Sequence, residues 1–342
     1  MITLGIESSC DDTSLALVED GTNIRASLLS SQIEIHRRFG GVVPEVASRK
    51  HLEAINPLIR EVLEAAQLHI DQVDQIAVTT GPGLLGALLV GVAAGKALAW
   101  ALRKPYIPVH HLEAHLTAAF LAANRPPEHP FLGLVVSGGH ANLLIAKGIR
   151  EFFPLGRTAD DAPGELYDKV ARRLGLGYPG GPAIQNAAVN GDSTRYPLPR
   201  PMSGRGYGFS FSGLKTAALR VIEKEGSELS LPDFCATLQV AVAETLIGKV
   251  LAALEEYPMP RLVIAGGVAA NAELRAHARK IADIKGVELL IPPPSLCTDN
   301  AAMIAAHGFF SAQTWNASES LLVNSLADWN MGDKLPIWRS PA

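Results

Sequence analysis

Two histidines four residues apart, His111 and His115, stand in the run His110-His111-Leu112-Glu113-Ala114-His115. The run follows an apolar strand-like stretch, Tyr106 to Val109, and opens a helix-like one, Leu116 to Ala123. Residues four apart share a helix face, so the two imidazoles can point at one spot and seat a metal ion. Glu113 falls ~200° from His111 around a helix of ~3.6 residues per turn and faces elsewhere. The order is not His-Glu-x-x-His, so a zinc-protease reading with Glu113 as base is disfavoured. An ordinary histidine-bearing helix start explains the bare spacing as well. Two imidazoles rarely hold a metal alone, and a third ligand has to come from far along the chain. Asp299, in Ser295-Leu296-Cys297-Thr298-Asp299-Asn300 just before an apolar helix expected over 301–310, is the candidate. On position alone an N-cap explains that aspartate first. If His111, His115 and Asp299 ligate together, the set suits iron(II), zinc or manganese better than calcium or magnesium. It also leaves open positions for a substrate oxygen.

The 342 residues carry 30 Lys and Arg against 34 Asp and Glu, and 48% are hydrophobic. Such a chain has ample core for two domains or one large one, as in a compact cytosolic enzyme. The near-neutral charge argues against a dedicated polybasic nucleic-acid binder but leaves room for a local basic face. Cys10, Cys235 and Cys297 form no Cys-x-x-Cys pair and are odd in number, which fits a reducing compartment. Met1-Ile2-Thr3-Leu4 lacks a basic-then-apolar signal pattern. The long apolar run Leu84 to Leu102 is interrupted by Lys96 and diluted by Gly86, Gly91 and Gly95, so it reads as a buried helix and not a membrane span.

The surrounding elements alternate strand and helix. Ile2 to Glu7 reads as a buried strand and Thr13 to Val18 as its partner. The turn between them, Ser8-Ser9-Cys10-Asp11-Asp12, can hold phosphate through backbone N–H groups or a metal through an Asp, and is equally a plain solvent hairpin. Asn23 to Ser30 is a third strand. A basic, glycine-rich stretch from His36 to Glu45 follows, and Arg49, Lys50 and His51 open a helix to about Ala66; these cations could meet a polyanion, and more often such charges form a solvated face. Gln75 to Thr80 is a strand, and Gly81-Pro82-Gly83 turns into the apolar helix, where Ala87, Gly91 and Gly95 permit a close helix contact. Strands Phe131 to Val136 and Ala141 to Ala146 flank Ser137-Gly138-Gly139-His140. A constant offset lays Gly133 on Gly5, Leu143 on Leu15 and Ile145 on Leu17, which suggests a duplicated unit. Thr158 to Gly181 reads as two helices and a loop. Arg200 to Lys215 reads as an exposed loop whose Phe209, Phe211, Arg205 and Lys215 suit stacking on a base or gripping phosphate, or else form a surface lid. Leu231 to Glu256 is a long amphipathic helix. Strand Arg261 to Ala265 enters Gly266-Gly267-Val268-Ala269-Ala270-Asn271, a nucleotide-type cradle at a helix N-terminus that matches neither Gly-x-Gly-x-x-Gly nor a Walker loop. Gly286 to Ile291 is the last strand, and the tail from Leu321 reads as peripheral.

The order of hairpin tip, Gly-Pro-Gly helix, second hairpin tip, Gly-Gly turn and closing helix resembles the actin–hexokinase–heat-shock ATPase superfamily. Within it the likeness is closer. Glu7-Ser8-Ser9-Cys10-Asp11, Gly41-Val42-Val43-Pro44-Glu45-Val46-Ala47-Ser48-Arg49, His111-Leu112-Glu113-Ala114-His115, Val136-Ser137-Gly138-Gly139-His140, Gly164-Glu165 with Asp168-Lys169, Tyr178-Pro179-Gly180-Gly181-Pro182, Phe209-Ser210-Phe211-Ser212-Gly213-Leu214-Lys215 and Gly266-Gly267-Val268-Ala269-Ala270-Asn271 are similar to the bacterial tRNA N6-adenosine threonylcarbamoyltransferases, once called glycoproteases. The collinear motifs cover roughly residues 2 to 312. Asp12 stands where many relatives carry Glu, and Ala141-Asn142 replaces a commoner Thr-Gln pair.

The resemblance implies an α/β fold of duplicated actin/hexokinase-like, ribonuclease H-like halves around a nucleotide cleft. The halves are expected over 1–125, with 297–342 packing back on it, and over 126–296. It implies transfer of an L-threonylcarbamoyl group from threonylcarbamoyl-AMP to N6 of adenosine 37 in tRNAs reading codons that begin with A, with release of AMP. It implies one divalent metal, iron(II) or zinc, on His111, His115 and Asp299. Substrate contacts fall on Val135, Val136, Ser137, Gly138, Gly139, Asp168, Gly181 and Asn271. Implied partners are tRNA, a shorter paralogous actin-like protein and a small P-loop ATPase, in the cytoplasm and with no membrane. Asp11 is the nearest helper for the proton of N6, and Arg37, Arg38, Arg49, Arg205 and Lys215 are candidates to steer nucleic acid. A small-molecule carbamoyltransferase or kinase on the same fold is the competing enzyme reading, because function lives in the site and not the fold. A non-catalytic scaffold is the third, and the three retained candidate ligands argue against it.

Overall fold

β1 (Ile2–Glu7) and β2 (Thr13–Glu19) form an antiparallel pair in which Gly5 faces Ala16. The computed structural model describes residues 1–333; residues 334–342, the end of the segment expected over 297–342, lie outside the described residues. These form two units, one of Met1–His129, Gly148–Phe152 and 298–333, the other of Pro130–Lys147 and Phe153–Cys297.

In the first unit β3 (Asn23–Ser30) follows β2 as an edge strand, then come α1 (Ile33–Arg37), α2 (Pro44–Ala66), β4 (Gln75–Gly81), α3 (Leu85–Leu102), β5 (Tyr106–His110) and α4 (His111–Ala122). The sheet order is β3-β2-β1-β4-β5, with β4 parallel to β1 and β5 parallel to β4. β1, β4 and β5 are buried along their whole length, so that even their polar residues Thr3, Glu7, Gln75, Thr79 and Thr80 lie inside. α2 starts at Pro44, where a missing N–H loses no helical bond. Arg49 and Lys50 therefore lie beyond its first turn and do not open it. His51 is no surface cation: its ring is buried, 2.7 Å from Thr13 Oγ1, with Nε2 donating to Cys10 O at 3.0 Å, and burial lowers its pKa. The α3 glycines expected at a helix contact meet the sheet instead. A Cβ on Gly91 would overlap Ser8 Oγ, and one on Gly95 would overlap Val78. Gly86 is the residue that meets a helix, at Ser48 of α2.

The second unit holds β6 (Phe131–Val136), β7 (Ala141–Gly148), β8 (Glu151–Arg157), α5 (Pro163–Arg173), α6 (Gly180–Ala187), α7 (Ser212–Glu225), α8 (Leu231–Glu256), β9 (Arg261–Ala265), α9 (Ala272–Lys285), β10 (Glu288–Leu290) and α10 (Pro294–Cys297). Its order, β10-β9-β6-β7-β8, repeats that of the first sheet read backwards. Gly133 faces Leu144, so both partners lie 128 residues beyond the Gly5–Ala16 pair (133 − 5 and 144 − 16). The weak self-match is thus a shared strand register, and the chain is a duplicated α/β protein. Three readings need correction. α8 is buried nearly all round and is not amphipathic. β10 is shorter than the strand expected from Gly286 to Ile291. The stretch from Arg200 to Lys215 does not display its aromatics: Phe209 and Phe211 are fully buried in the core. Asp160 fastens their motif, accepting from Ser210 Oγ and Ser212 Oγ at 2.6 Å and from Phe211 N at 2.7 Å, and Lys215 is ion-paired with Asp161.

The chain returns to the first unit with α11 (Ala301–Ser311) and α12 (Ala317–Ser320). α11 lies directly on the first sheet, so close that a Cβ on Gly5 would overlap Ala301 O and one on Gly308 would overlap Ala77. The tail from Leu321 to Asp333 is not peripheral. Leu326 N donates to Thr80 O at 2.8 Å, Gly83 N donates to Ala327 O at 3.1 Å, and Val323, Trp329 and Met331 are buried.

Candidate metal centre

The C-terminal ends of β1, β4 and β5 and the N-termini of α4 and α11 meet in the first unit. α4 begins immediately after β5, so His111 is its first residue and His115 lies one turn on. The cap of that helix is unusual. His110 is buried and its Nδ1 accepts from Leu112 N at 3.2 Å and Glu113 N at 3.4 Å, while Nε2 donates to Trp329 O at 3.1 Å. Burial pushes its pKa to about 4, so the ring is neutral and can do both. The tail therefore braces the start of α4. Replacing His110 by Ala is expected to destabilise the protein by about 2 kcal/mol, a lost cap plus a lost buried hydrogen bond, read as a lower midpoint in urea unfolding.

Asp299 is released from capping by its neighbour. Asn300 has extended backbone angles, φ −153 and ψ 148, and its side chain accepts from Met303 N at 2.9 Å, so Asn300 is the N-cap of α11. The Asp299 carboxylate instead turns to the histidines, with Oδ1 3.4 Å from His111 Nε2 and 3.2 Å from His115 Nε2. The imidazole centroids are 4.7 Å apart at 81°, and the three ligand atoms lie within 4.8 Å of one another. Donors bound at roughly 2.1 Å around one ion stand about 3.0–3.5 Å apart, so the set is close to closing on a metal. His115 is fully buried, and neither of its ring nitrogens has a hydrogen-bonding partner among the described residues. Orphaned buried nitrogens beside a carboxylate are what a ligand set requires, so the residues fit a divalent cation. Glu113 faces away from this group, 3.6 Å from His307 Nε2.

Charge is concentrated here. Burial works against ionisation of Asp299, yet the positive charge on His111 and the closeness of both imidazoles hold it well below the usual carboxylate range. Burial likewise lowers His111, but Glu7 and Asp299 on either side outweigh it and raise the ring to about 10. A dication taking this place must expel the His111 proton. Affinity is therefore expected to rise by about tenfold per pH unit between pH 6 and 8, one proton leaving per ion. Zinc titration in buffers across that range reads the slope, and a flat affinity would contradict the ligand assignment of His111.

Sequence reading missed Glu7, which ends β1 directly beneath His111 with Oε2 3.0 Å from Nδ1. No local signal marks it, since the contact spans 104 residues. The turn after it is no solvent hairpin, because Ser8 and Ser9 are buried. Asp11 lies in this turn beside Asp12, whose pKa burial and the Asp11 charge raise to about 6.

The other named positions gather in the second unit, beyond the C-terminal ends of β6 and β9, where open α/β sheets bind ligands. Val135 and Val136 are buried strand residues, so Ser137, Gly138 and Gly139 form the accessible turn. The start of α5 is laid against it: Gly164 N donates to Ser137 O at 3.2 Å and Glu165 N to Gly138 O at 3.1 Å. A Cβ on Gly164 would come within 2.7 Å of Gly138 Cα. Asp168 Oδ1 accepts from Gly180 N at 2.7 Å, fixing the α6 start on which Gly181 sits in open space. Gly266, at φ 92 and packed on Val136 O, takes a conformation other residues rarely adopt. Asn271 then caps α9, accepting from Leu274 N at 3.0 Å and donating to Gln239 Oε1 at 2.6 Å.

A family model described as tRNA N6-adenosine threonylcarbamoyltransferase matches residues 23–306. Curated proteins of that description include one from Trichlorobacter lovleyi, 48% identical over 346 residues and covering 99% of each chain. Others are from Symbiobacterium thermophilum at 49% and Geobacter sulfurreducens at 51%, each covering 90% of this chain and 91% of its own. Among solved structures, component A of the (R)-2-hydroxyglutaryl-CoA dehydratase of Acidaminococcus fermentans is similar with a TM-score of 0.56 at 17% identity, over 92% of this chain and 99% of its own. HypF of T. kodakarensis gives 0.60 at 14% identity, over 94% of this chain and 49% of its own. At such identities the likeness is of fold, the actin/hexokinase-like α/β architecture.

Proposed function

The chain belongs to the tRNA N6-adenosine threonylcarbamoyltransferase family, and from that premise we propose that it transfers the L-threonylcarbamoyl group of threonylcarbamoyl-AMP to N6 of adenosine 37 in tRNAs reading codons that begin with A. N6 attacks the carbamoyl carbon, the bond from that carbon to the phosphate oxygen breaks, AMP leaves with the bond's electrons, and N6 gives up a proton. The mixed anhydride is already activated, so the work is mainly positioning and stabilising charge. His111, His115 and Asp299 would hold iron(II) or zinc, which as a Lewis acid supplies stabilisation of phosphate or carboxylate oxygens. In this reading the N–H groups of Ser137, Gly138 and Gly139, following Val135 and Val136, hold the carbamoyl–threonyl part. Asp168, Gly181 and Asn271 seat the adenosine of the leaving AMP, and Asp11 accepts the N6 proton. Arg37, Arg38, Arg49 and Arg205 steer tRNA; Lys215 is withdrawn from that role by Asp161. Partners in the reaction are a shorter actin-like paralogue and a small P-loop ATPase, in the cytoplasm and without a membrane.

What supports this reading is near-half identity across almost the whole chain, combined with a nitrogen-rich ligand set. A small-molecule kinase on this fold would use magnesium, which prefers oxygen ligands. Incubation of the protein with tRNA, threonylcarbamoyl-AMP and both partners, followed by nucleoside chromatography, is expected to give threonylcarbamoyladenosine and AMP in equal amounts. Unmodified tRNA, or phosphate from ATP appearing on a small metabolite, would reject it.

A further inference from the structure

Glu7 has no solvent-exposed surface, and an ionised carboxylate offers only acceptors. Its neighbours supply donors. Ser9 N donates to Oε1 at 2.5 Å, Thr79 Oγ1 donates to Oε2 at 2.6 Å, and His111 Nδ1 stands 3.0 Å from the same Oε2. The contact with His111 therefore has one workable sense, in which Nδ1–H donates and Glu7 accepts. Ser9 Oγ, 3.3 Å from Nδ1, flanks this bond. With one ring proton held on Nδ1 by Glu7, the proton that an incoming ion expels is the one on Nε2, whose lone pair then faces the ion beside Asp299 and His115. His115 has no such support, since its Nδ1 has no hydrogen-bonding partner among the described residues.

We propose that Glu7 is a positioning residue of the metal centre, holding His111 in the tautomer and orientation that present Nε2 to the ion and making His111 the stronger of the two imidazole ligands. The inference rests on the reading of His111, His115 and Asp299 as a metal site. A carboxylate behind a ligating imidazole fixes the ring and raises its basicity, and removing such a partner lowers metal affinity about 10–100-fold. The Glu7 rotamer is itself fixed from two directions, by the turn that follows β1 and by Thr79 on β4. Glu7 also brings a second negative charge to a site that already holds Asp299, so the pair balances a dication.

Cobalt(II) titration of the full-length protein, followed by visible absorption, tests the proposal. Glu7→Gln keeps the volume but loses the charge, and is expected to lower cobalt affinity by about 10–100-fold and to shift the absorption bands. Thr79→Val, which loosens Glu7 without touching His111, should weaken binding in the same direction by less. His111→Gln should lose more affinity than His115→Gln. In zinc-loaded protein with 15N-labelled histidine, the retained His111 ring proton is expected on Nδ1. Wild-type affinity and unshifted bands in Glu7→Gln, or a His111 proton on Nε2, would overturn it. If Glu7→Gln does not fold, Thr79→Val and the nitrogen spectrum decide. A wild-type protein that takes up no cobalt would reject the metal reading and this inference together, whereas tight wild-type binding with an indifferent Glu7→Gln rejects the inference alone.

Discussion

Asp299→Ala is expected to lower the yield of modified tRNA by ~10²–10³-fold while leaving the protein folded. The carboxylate is the one anionic member of the ligand trio, and its Oδ1 is what faces both Nε2 atoms. Its loss leaves two neutral imidazoles, which hold a divalent ion poorly. The helix behind it keeps its own cap, because Asn300 and not Asp299 bonds to Met303 N. Stability should therefore change little while metal content and activity fall together. Metal analysis of the purified variant, alongside nucleoside yield in the reconstituted reaction, separates the two effects. Asp299→Ala with full metal content and full yield would remove the centre of the proposed chemistry. His111→Ala should lose metal and yield likewise, with an added loss of stability because Glu7 is left buried without its partner.

A second large effect is expected at a residue that is itself no ligand. Gly5→Ala places a methyl group against Ala301 O and 2.8 Å from Ala305 N, both backbone atoms of α11 that cannot swing aside. Either α11 lifts from the sheet or β1 bends. Overpacking of this kind costs about 3 kcal/mol, and here the relief moves the N-terminus of α11, on which the position of Asp299 depends. Cobalt affinity should thus fall along with the urea midpoint. Gly248→Ala supplies the opposite sign from the same substitution. That glycine lies within α8 where a Cβ meets no atom within 4 Å, so a gain of about 0.5–1 kcal/mol is expected from helix propensity and the stiffer unfolded chain. Equal effects at the two sites would show that α11 does not press on β1 as described.

The local part of the site is legible in one dimension because helical period is a local property. His111 and His115 share a face by spacing alone, and Glu113 is excluded from it by the same arithmetic. Strand positions are legible where burial on both faces demands a run without polar residues, as in β6. Patterning failed where one residue type serves two surroundings. Phe209 and Phe211 among glycines and cations look like a stacking loop, yet Asp160 ties their backbone down and both rings enter the core. His51 and Lys215 look like surface cations, yet one is bonded to Thr13 and the other to Asp161. The tail from Leu321 looks peripheral, yet its main chain meets Thr80, Gly83 and His110.

By itself the sequence determined the repeated strand registers, the paired imidazoles on α4 and the family to which the motifs belong, since each is carried by order and period along the chain. Only the tertiary structure decided between Asp299 and Asn300 as cap, and brought Glu7 beneath His111. Those choices depend on which groups meet across more than a hundred residues of intervening chain, and there a carboxylate finds a cap, a cation or a buried imidazole according to where the helices and sheet place it.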